Sequence, residues 1–380
     1  MKILIAVDSF KGSISSTLAS SAISEGIKEV YPKAEILTVP LADGGEGTVE
    51  ALVRAVGGQL YRKEVVGPLG KKIEAVYGMT QDGATAIIEV ASACGLPLLT
   101  EKEQNPLLTT TYGVGELLID AMERGCRKFI IGLGGSSTND AGVGMLQALG
   151  FKFLDANGKE VGFGGKVLAE ITHIKTTEKH PLLEQCFFQV ACDVQNYLYG
   201  KDGAAYVFGP QKGATPEMVE ELDKGLRNLA EVVKKDLGID IHKVKGAGAA
   251  GGLGAAFSGF LHSEMRSGIN LILDLIDLES KLQDVDLVIT GEGKLDGQTS
   301  MGKAPSGVAH MAARRNIPVI ALAGTVKQED FSVNKDGMTA CFSIINRPME
   351  LKEAMDLDTA YQNLRFTTCQ ILQLIKAIKK

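Results

Sequence analysis

Ile3-Leu4-Ile5-Ala6-Val7-Asp8-Ser9-Phe10-Lys11-Gly12-Ser13 decides the fold class. Residues 3–7 are all apolar and rich in β-branched side chains, with no polar face to turn to water. A strand of that kind is covered on both sides, as in a parallel sheet. The polar loop 8–13 follows. Leu18, Ala22, Ile27 and Val30 then repeat at helical spacing, which predicts a helix over 16–29 that Pro32 closes. A second strand over 36–39 and a second helix ending at Gly57-Gly58 complete β-α-β-α, the opening of a doubly wound sheet.

The far end of the chain repeats this grammar. Strands are expected over 286–290, 319–323 and 340–345, with helices over 306–315, 349–355 and 359–378. The middle differs. Segments 72–79 and 85–89 pattern as antiparallel partners, and Asp155-Ala156-Asn157-Gly158 has hairpin chemistry. Long helices are expected over 217–237 and 250–261. The simplest architecture is one α/β domain, 1–68 plus 286–380, flanking an inserted α+β domain, 69–285. The active site is then expected in the cleft between them. Two consecutive domains dividing near 150 fit the pattern as an alternative.

Composition narrows the function classes. The chain has 380 residues, a net charge of −6 and no basic stripe, which argues against a nucleic-acid partner. No apolar run reaches the ~18 residues a membrane span needs. None of the six cysteines forms a CxxC pair, and none of the five histidines has a partner at zinc or triad spacing. These features predict a cytoplasmic protein with reduced cysteines. Glycine is the unusual feature: 45 residues, near twice the usual share, gathered in a few loops. Clustered glycine marks backbone that bends sharply or comes close to a ligand.

Those loops carry the candidate chemistry. Asp8, Ser9 and Lys11 lie just past the first strand, where ligands of open parallel sheets bind. Asp43 and Glu46 sit among glycines after the second strand and suit a metal or a hydroxyl ligand. Gly134, Gly135, Ser136, Ser137, Asn139 and Asp140 stand between the strand 129–131 and a helix running to 149; this reads as a cradle for phosphate or carboxylate. Asp193 and Asn196 follow the apolar run 187–191, Asp193 being a candidate base or metal ligand. Val288-Ile289-Thr290 leads into Gly291, Glu292, Gly293, Asp296 and Lys303, read as a polar loop before a helix that Pro305 opens. Gly297-x4-Gly302-Lys303 imitates a phosphate loop, but Ala304 replaces the metal-binding Ser or Thr, so a P-loop enzyme is rejected. Gly246-Ala247-Gly248-Ala249-Ala250-Gly251 satisfies GxGxxG, although no long apolar strand precedes it.

Taken in order, Asp8 to Gly12, Asp43 to Thr48, Gly132 to Gly142, Cys192 to Asn196, Phe208 to Ala214, Gly246 to Gly254 and Gly291 to Pro305 form a set of motifs. With that set the chain resembles the type 1 glycerate kinase family over nearly its whole length. The resemblance implies a Rossmann-like or flavodoxin-like domain split by an insertion, and ATP-dependent phosphorylation of D-glycerate to 2- or 3-phosphoglycerate. ATP with Mg²⁺ and glycerate would be the ligands; a homodimer is compatible with it, and the sequence leaves oligomeric state open. On that reading Lys11 and Lys303 neutralise phosphate charge, and Asp43, Glu46, Glu292 and Asp296 stand behind the metal. Asp193 orients the attacking hydroxyl, and the turn at Ser136-Ser137 holds a phosphate or the glycerate carboxylate. Two other classes compete: an NAD(P)-dependent oxidoreductase built on residues 246–251, and a non-catalytic two-lobed binding protein for small anions.

Overall fold

A computed structural model of the chain describes residues 1–39, 41, 48–295, 304–327 and 337–378. The backbone divides into two units: Met1–Asp43 with Ile269–Lys380, and Gly44–Gly268. The sequence pattern places these divisions later, at 68/69 and 285/286. The first difference has a simple cause. Gln59–Val66 pairs antiparallel with Lys72–Met79 along its whole length, from Gln59↔Met79 to Val66↔Lys72, and so belongs with it.

In the first unit five parallel strands run in the order Ala340–Ser343, Val319–Val326, Leu287–Leu295, Lys2–Val7, Glu35–Thr38. The apolar run at the N-terminus is covered on both faces, as its composition requires. Ile3, Ile5 and Val7 pack with Ile23, Ile27 and Leu364. Leu4 and Ala6 are fully buried on the opposite face. Ser16–Val30 starts where Ser15 accepts a hydrogen bond from the Leu18 N–H. It packs against Leu357–Ile378 so closely that a Cβ on Gly26 would lie 2.5 Å from the Arg365 carbonyl oxygen.

Lys2–Val7 lies between Glu35–Thr38, the next strand in sequence, and Leu287–Leu295, which comes after the whole second unit in sequence. The direction of strand order reverses at that point, and in open parallel sheets ligands bind beyond the carboxyl ends there.

One expectation is corrected here. The strand read as ending at Thr290 continues to Leu295, in register with Val319–Val326 through Leu295↔Val326. Gly291 and Gly293 are therefore strand residues, not loop amides before a helix. Gly291 serves close packing: a Cβ there would meet the Leu322 carbonyl oxygen at 2.3 Å.

In the second unit the sheet order is Glu264–Arg266, Phe187–Ala191, Lys128–Gly132, Thr85–Glu89, Lys72–Met79, Gln59–Val66. The first four strands are mutually parallel and the last two antiparallel. Phe129 and Phe188 stack at 4.9 Å across adjacent strands, over a core that includes Leu117, Ile131 and Phe257. The helix expected over 250–261 begins only at Leu253, because Ala250, Gly251 and Gly252 all take positive φ. The reason is a backbone crossing. The Ala141 N–H donates to the Gly251 carbonyl at 3.0 Å, and a Cβ on Gly251 would lie 1.9 Å from the Thr138 carbonyl oxygen. The GxGxxG glycines thus let two loops of the same unit touch, which removes the basis of the dinucleotide reading. No helix among the described residues is long and apolar enough to cross a membrane.

Candidate active site

The first unit gathers its polar side chains at the switch point. Val7 pairs with Gly291, and the Asp8 N–H donates to the Gly291 carbonyl at 2.9 Å. Asp8 therefore stands just past the carboxyl end of its strand, level with Glu292 inside the longer neighbouring strand. Both are nearly buried, 4% and 9% exposed. One Asp8 oxygen accepts the Ser9 N–H at 2.6 Å. The next residues form a tight turn in which Phe10 and Ile14 exchange backbone hydrogen bonds and Gly12 takes φ 77°. That turn lifts Lys11 into solvent beside the two carboxylates.

Asp8, Ser9, Lys11, Glu292, Gly293 and Lys294 all line one cavity of ≈ 490 Å³, which Phe10, Ile344, Ile345, Met349 and Met355 close with apolar surface. A flat aromatic group suits the apolar side and anions suit the lysines. Among the described residues no cluster of three or more potential metal ligands occurs. Mg²⁺ is ordinarily held by one or two carboxylates with substrate phosphates completing the shell. The paired Asp8 and Glu292 fit that donor set.

The second unit has its own row of polar residues at strand carboxyl ends. Glu89 pairs with Gly132, Gly132 with Ala191, and Ala191 with Arg266. The turn Gly134-Gly135-Ser136 and the carboxylate of Asp193 each follow two or more residues beyond that line. Gly134 and Gly135 are exposed, with Gly135 at φ 72°. Asp193 is exposed and accepts the N–H of Gly268 at 3.1 Å. Asn196 is half-buried and donates to the Asp202 carbonyl, which makes it a loop brace.

The rest of the glycine-serine loop turns inward, against expectation. Ser137 donates its N–H and its O–H to the Cys94 carbonyl, at 2.8 and 2.9 Å. Asp140 is 1% exposed and accepts from the Thr111 N–H and O–H and from the N–H groups of Gly142 and Gly144. Burial pushes its carboxyl above the ordinary range, while these donors pull it back toward the ionised form. The start of the Val143–Ala148 helix is thus filled by the protein's own carboxylate, and a ligand phosphate cannot occupy it. Asn139 is fully buried, and neither its amide nitrogen nor its amide oxygen has a hydrogen-bond partner among the described residues.

Asp43, Glu46, Asp296 and Lys303 lie outside the described residues. Glu89 and Arg266, at these strand ends, are not singled out by the sequence, and Lys212 enters only within the motif Phe208 to Ala214. The signal for Glu89 is its position ending an apolar run, 85–89. Arg266 ends a short polar strand and Lys212 sits in a glycine-rich turn, so neither carries a local signal.

Known proteins match this chain in sequence and in fold. The model of the Glycerate kinase family matches residues 3–376. The chain is 47% identical to the Glycerate 2-kinase of Escherichia coli strain K12, over 96% of this chain and 95% of that one. It is 47% identical to the Glycerate kinase of Haemophilus influenzae, over 100% of both. A solved crystal structure described as glycerate kinase 2 of Salmonella typhimurium LT2 superposes with a TM-score of 0.91 at 45% identity, covering 100% of this chain and 99% of that one. Matched along its length in sequence and in fold, this chain belongs to the glycerate kinase family.

Proposed function

We propose that this enzyme transfers the γ-phosphoryl group of ATP to the 2-hydroxyl of D-glycerate, the position named in its Escherichia coli relative. The observation that carries the reading is that Asp8 and Glu292 line one cavity at the switch point with Lys11 and an apolar slot. Phosphoryl transfer demands alignment and charge neutralisation more than covalent chemistry, and these residues supply both.

In this reading the apolar slot takes the adenine, and Lys11 and Lys303 neutralise the phosphates. Asp8 and Glu292, with Asp43, Glu46 and Asp296 as further candidates, would hold Mg²⁺, which would neutralise charge on the phosphate oxygens. The exposed Gly134-Gly135 turn and Ser136 hold the glycerate carboxylate. Asp193 accepts a hydrogen bond from the attacking hydroxyl and orients it. All six cysteines are free thiols, which supports a reducing, cytoplasmic setting.

The test is direct. Protein, D-glycerate, ATP and Mg²⁺ are incubated, ADP is followed, and the product is examined by phosphorus NMR. A phosphorus doublet, coupled to the one proton on C2, is expected. A triplet would move the transfer to the 3-hydroxyl. Absence of glycerate-dependent ADP would end the kinase reading.

A further inference from the structure

Lys212 is 2% exposed, in the short turn Pro210–Lys212. Its ammonium donates to Ser136 Oγ at 3.0 Å and to the Thr138 carbonyl at 2.7 Å, bridging 76 and 74 residues of chain. No carboxylate among the described residues lies within ion-pair distance of it. A buried cation without a carboxylate partner is unfavourable, and a methionine, one atom shorter and uncharged, would pack there without that penalty. Residues that lower stability in this way mark functional sites.

The geometry offers a use for the charge. Ser136, 5% exposed, accepts from Lys212 at its Oγ, which leaves its own O–H as a donor. The same serine follows the exposed Gly134 and Gly135. Beside it the Asn139 side-chain amide is buried with no hydrogen-bond partner among the described residues, so this corner of the loop has polar capacity that those residues do not satisfy.

We propose that Lys212 is the positioning residue of the substrate carboxylate site: it fixes the Ser136 hydroxyl as a donor and polarises it toward the anion. This deepens the kinase reading and rests on it. A neutral substrate of the same shape would gain nothing from the arrangement, so the pair selects a hydroxy acid over a polyol such as glycerol.

The titratable groups facing Lys212 are Cys94 and Asp140. Burial holds the Cys94 thiol up at about 12, so it stays neutral. Burial also pulls the Lys212 ammonium down to about 8, so its charge is lost just above neutrality.

The experiment compares full-length wild type with Lys212→Met and Lys212→Arg. Methionine is expected to raise the KM for glycerate roughly tenfold to a hundredfold, the worth of a hydrogen bond to a charged group. The KM for ATP should stay within about twofold, and Tm should not fall. In wild type the KM for glycerate should climb as pH passes about 8; that limb should vanish in Lys212→Met and move upward in Lys212→Arg. Equal losses for both substrates, or a wild-type glycerate KM flat across that range, would overturn the proposal. If Lys212→Met does not fold, Ser136→Ala carries the test, and an unchanged glycerate KM in that variant overturns it equally. An active enzyme with these negative results sinks only the role of Lys212; no glycerate-dependent ADP in wild type sinks the kinase reading instead.

Discussion

Asp140 accepts both hydrogen-bond donors of Thr111 on one oxygen, the N–H at 2.9 Å and the O–H at 2.8 Å. The Thr111 hydroxyl in turn accepts the Met145 N–H at 3.0 Å. Removing that hydroxyl orphans a buried N–H, so Thr111→Val should lower stability by about 1–2 kcal/mol. Asp140→Ala strands four donors and should remove about 3–5 kcal/mol. Denaturant midpoints check both, and a change under about 0.5 kcal/mol in either would show the clamp to be dispensable.

Gly251 touches the Thr138 carbonyl and takes φ 69°. An alanine there meets backbone, which cannot move aside as a side chain can. Gly251→Ala should lose roughly 2–4 kcal/mol of stability. Wild type should show no binding of NAD or NADP in calorimetry; micromolar binding that Gly251→Ala abolishes would restore the dinucleotide reading.

The depressed ammonium of Lys212 also predicts a pH dependence of stability. Its ordinary value is 10.5 and its folded value about 8, so between these the unfolded chain binds more protons. Stability from this group therefore rises with pH across that window and is fully penalised below it. The difference amounts to about 3 kcal/mol. The gap between wild type and Lys212→Met, followed from pH 7 to 10.5, should shift by that amount in favour of wild type; a constant gap refutes it.

Lys11 is exposed and lines the cavity shared with Asp8 and Glu292. Lys11→Met should leave Tm unchanged while raising the KM for ATP by about tenfold, the loss of one charge-assisted contact to phosphate. Asp8→Asn, in the same cavity, should lower kcat by about a hundredfold and raise the Mg²⁺ concentration needed for half-maximal rate. If Asp8→Asn turns over normally at low Mg²⁺, the metal is held elsewhere.

Asp193→Asn keeps the size and the oxygen that accepts from Gly268, and so should fold. Loss of the charge that orients the attacking hydroxyl should cut kcat by roughly a hundredfold or more. Unchanged turnover removes Asp193 from that role.

Much of this was legible in local patterns. An uninterrupted apolar strand followed by a capped helix states its own environment, as Lys2–Val7 and Ser16–Val30 do. Asp8, Lys11 and Asp193 were singled out for a related reason: they follow the carboxyl ends of strands, where ligands of parallel sheets bind. Ser137 and Asp140 misled because a serine or aspartate near a helix start has the same sequence signature whether it binds a ligand or caps its own backbone. Only the partners, Cys94 and Thr111, tell the two apart. Gly291 and Gly293 misled because a glycine breaking an apolar run also describes a strand whose neighbours approach closely.

By itself the sequence pointed to a parallel α/β architecture, interrupted by an α+β insertion, with polar chemistry at strand ends. These follow from side-chain periodicity, which is a property of neighbours in the chain. Tertiary structure alone decided that Asp8 meets Glu292, that Asp140 turns inward while Gly134 stays outside, and that Lys212 stands behind Ser136. Each of those joins segments tens to hundreds of residues apart, and burial and hydrogen-bond partnership exist only once the chain has closed on itself.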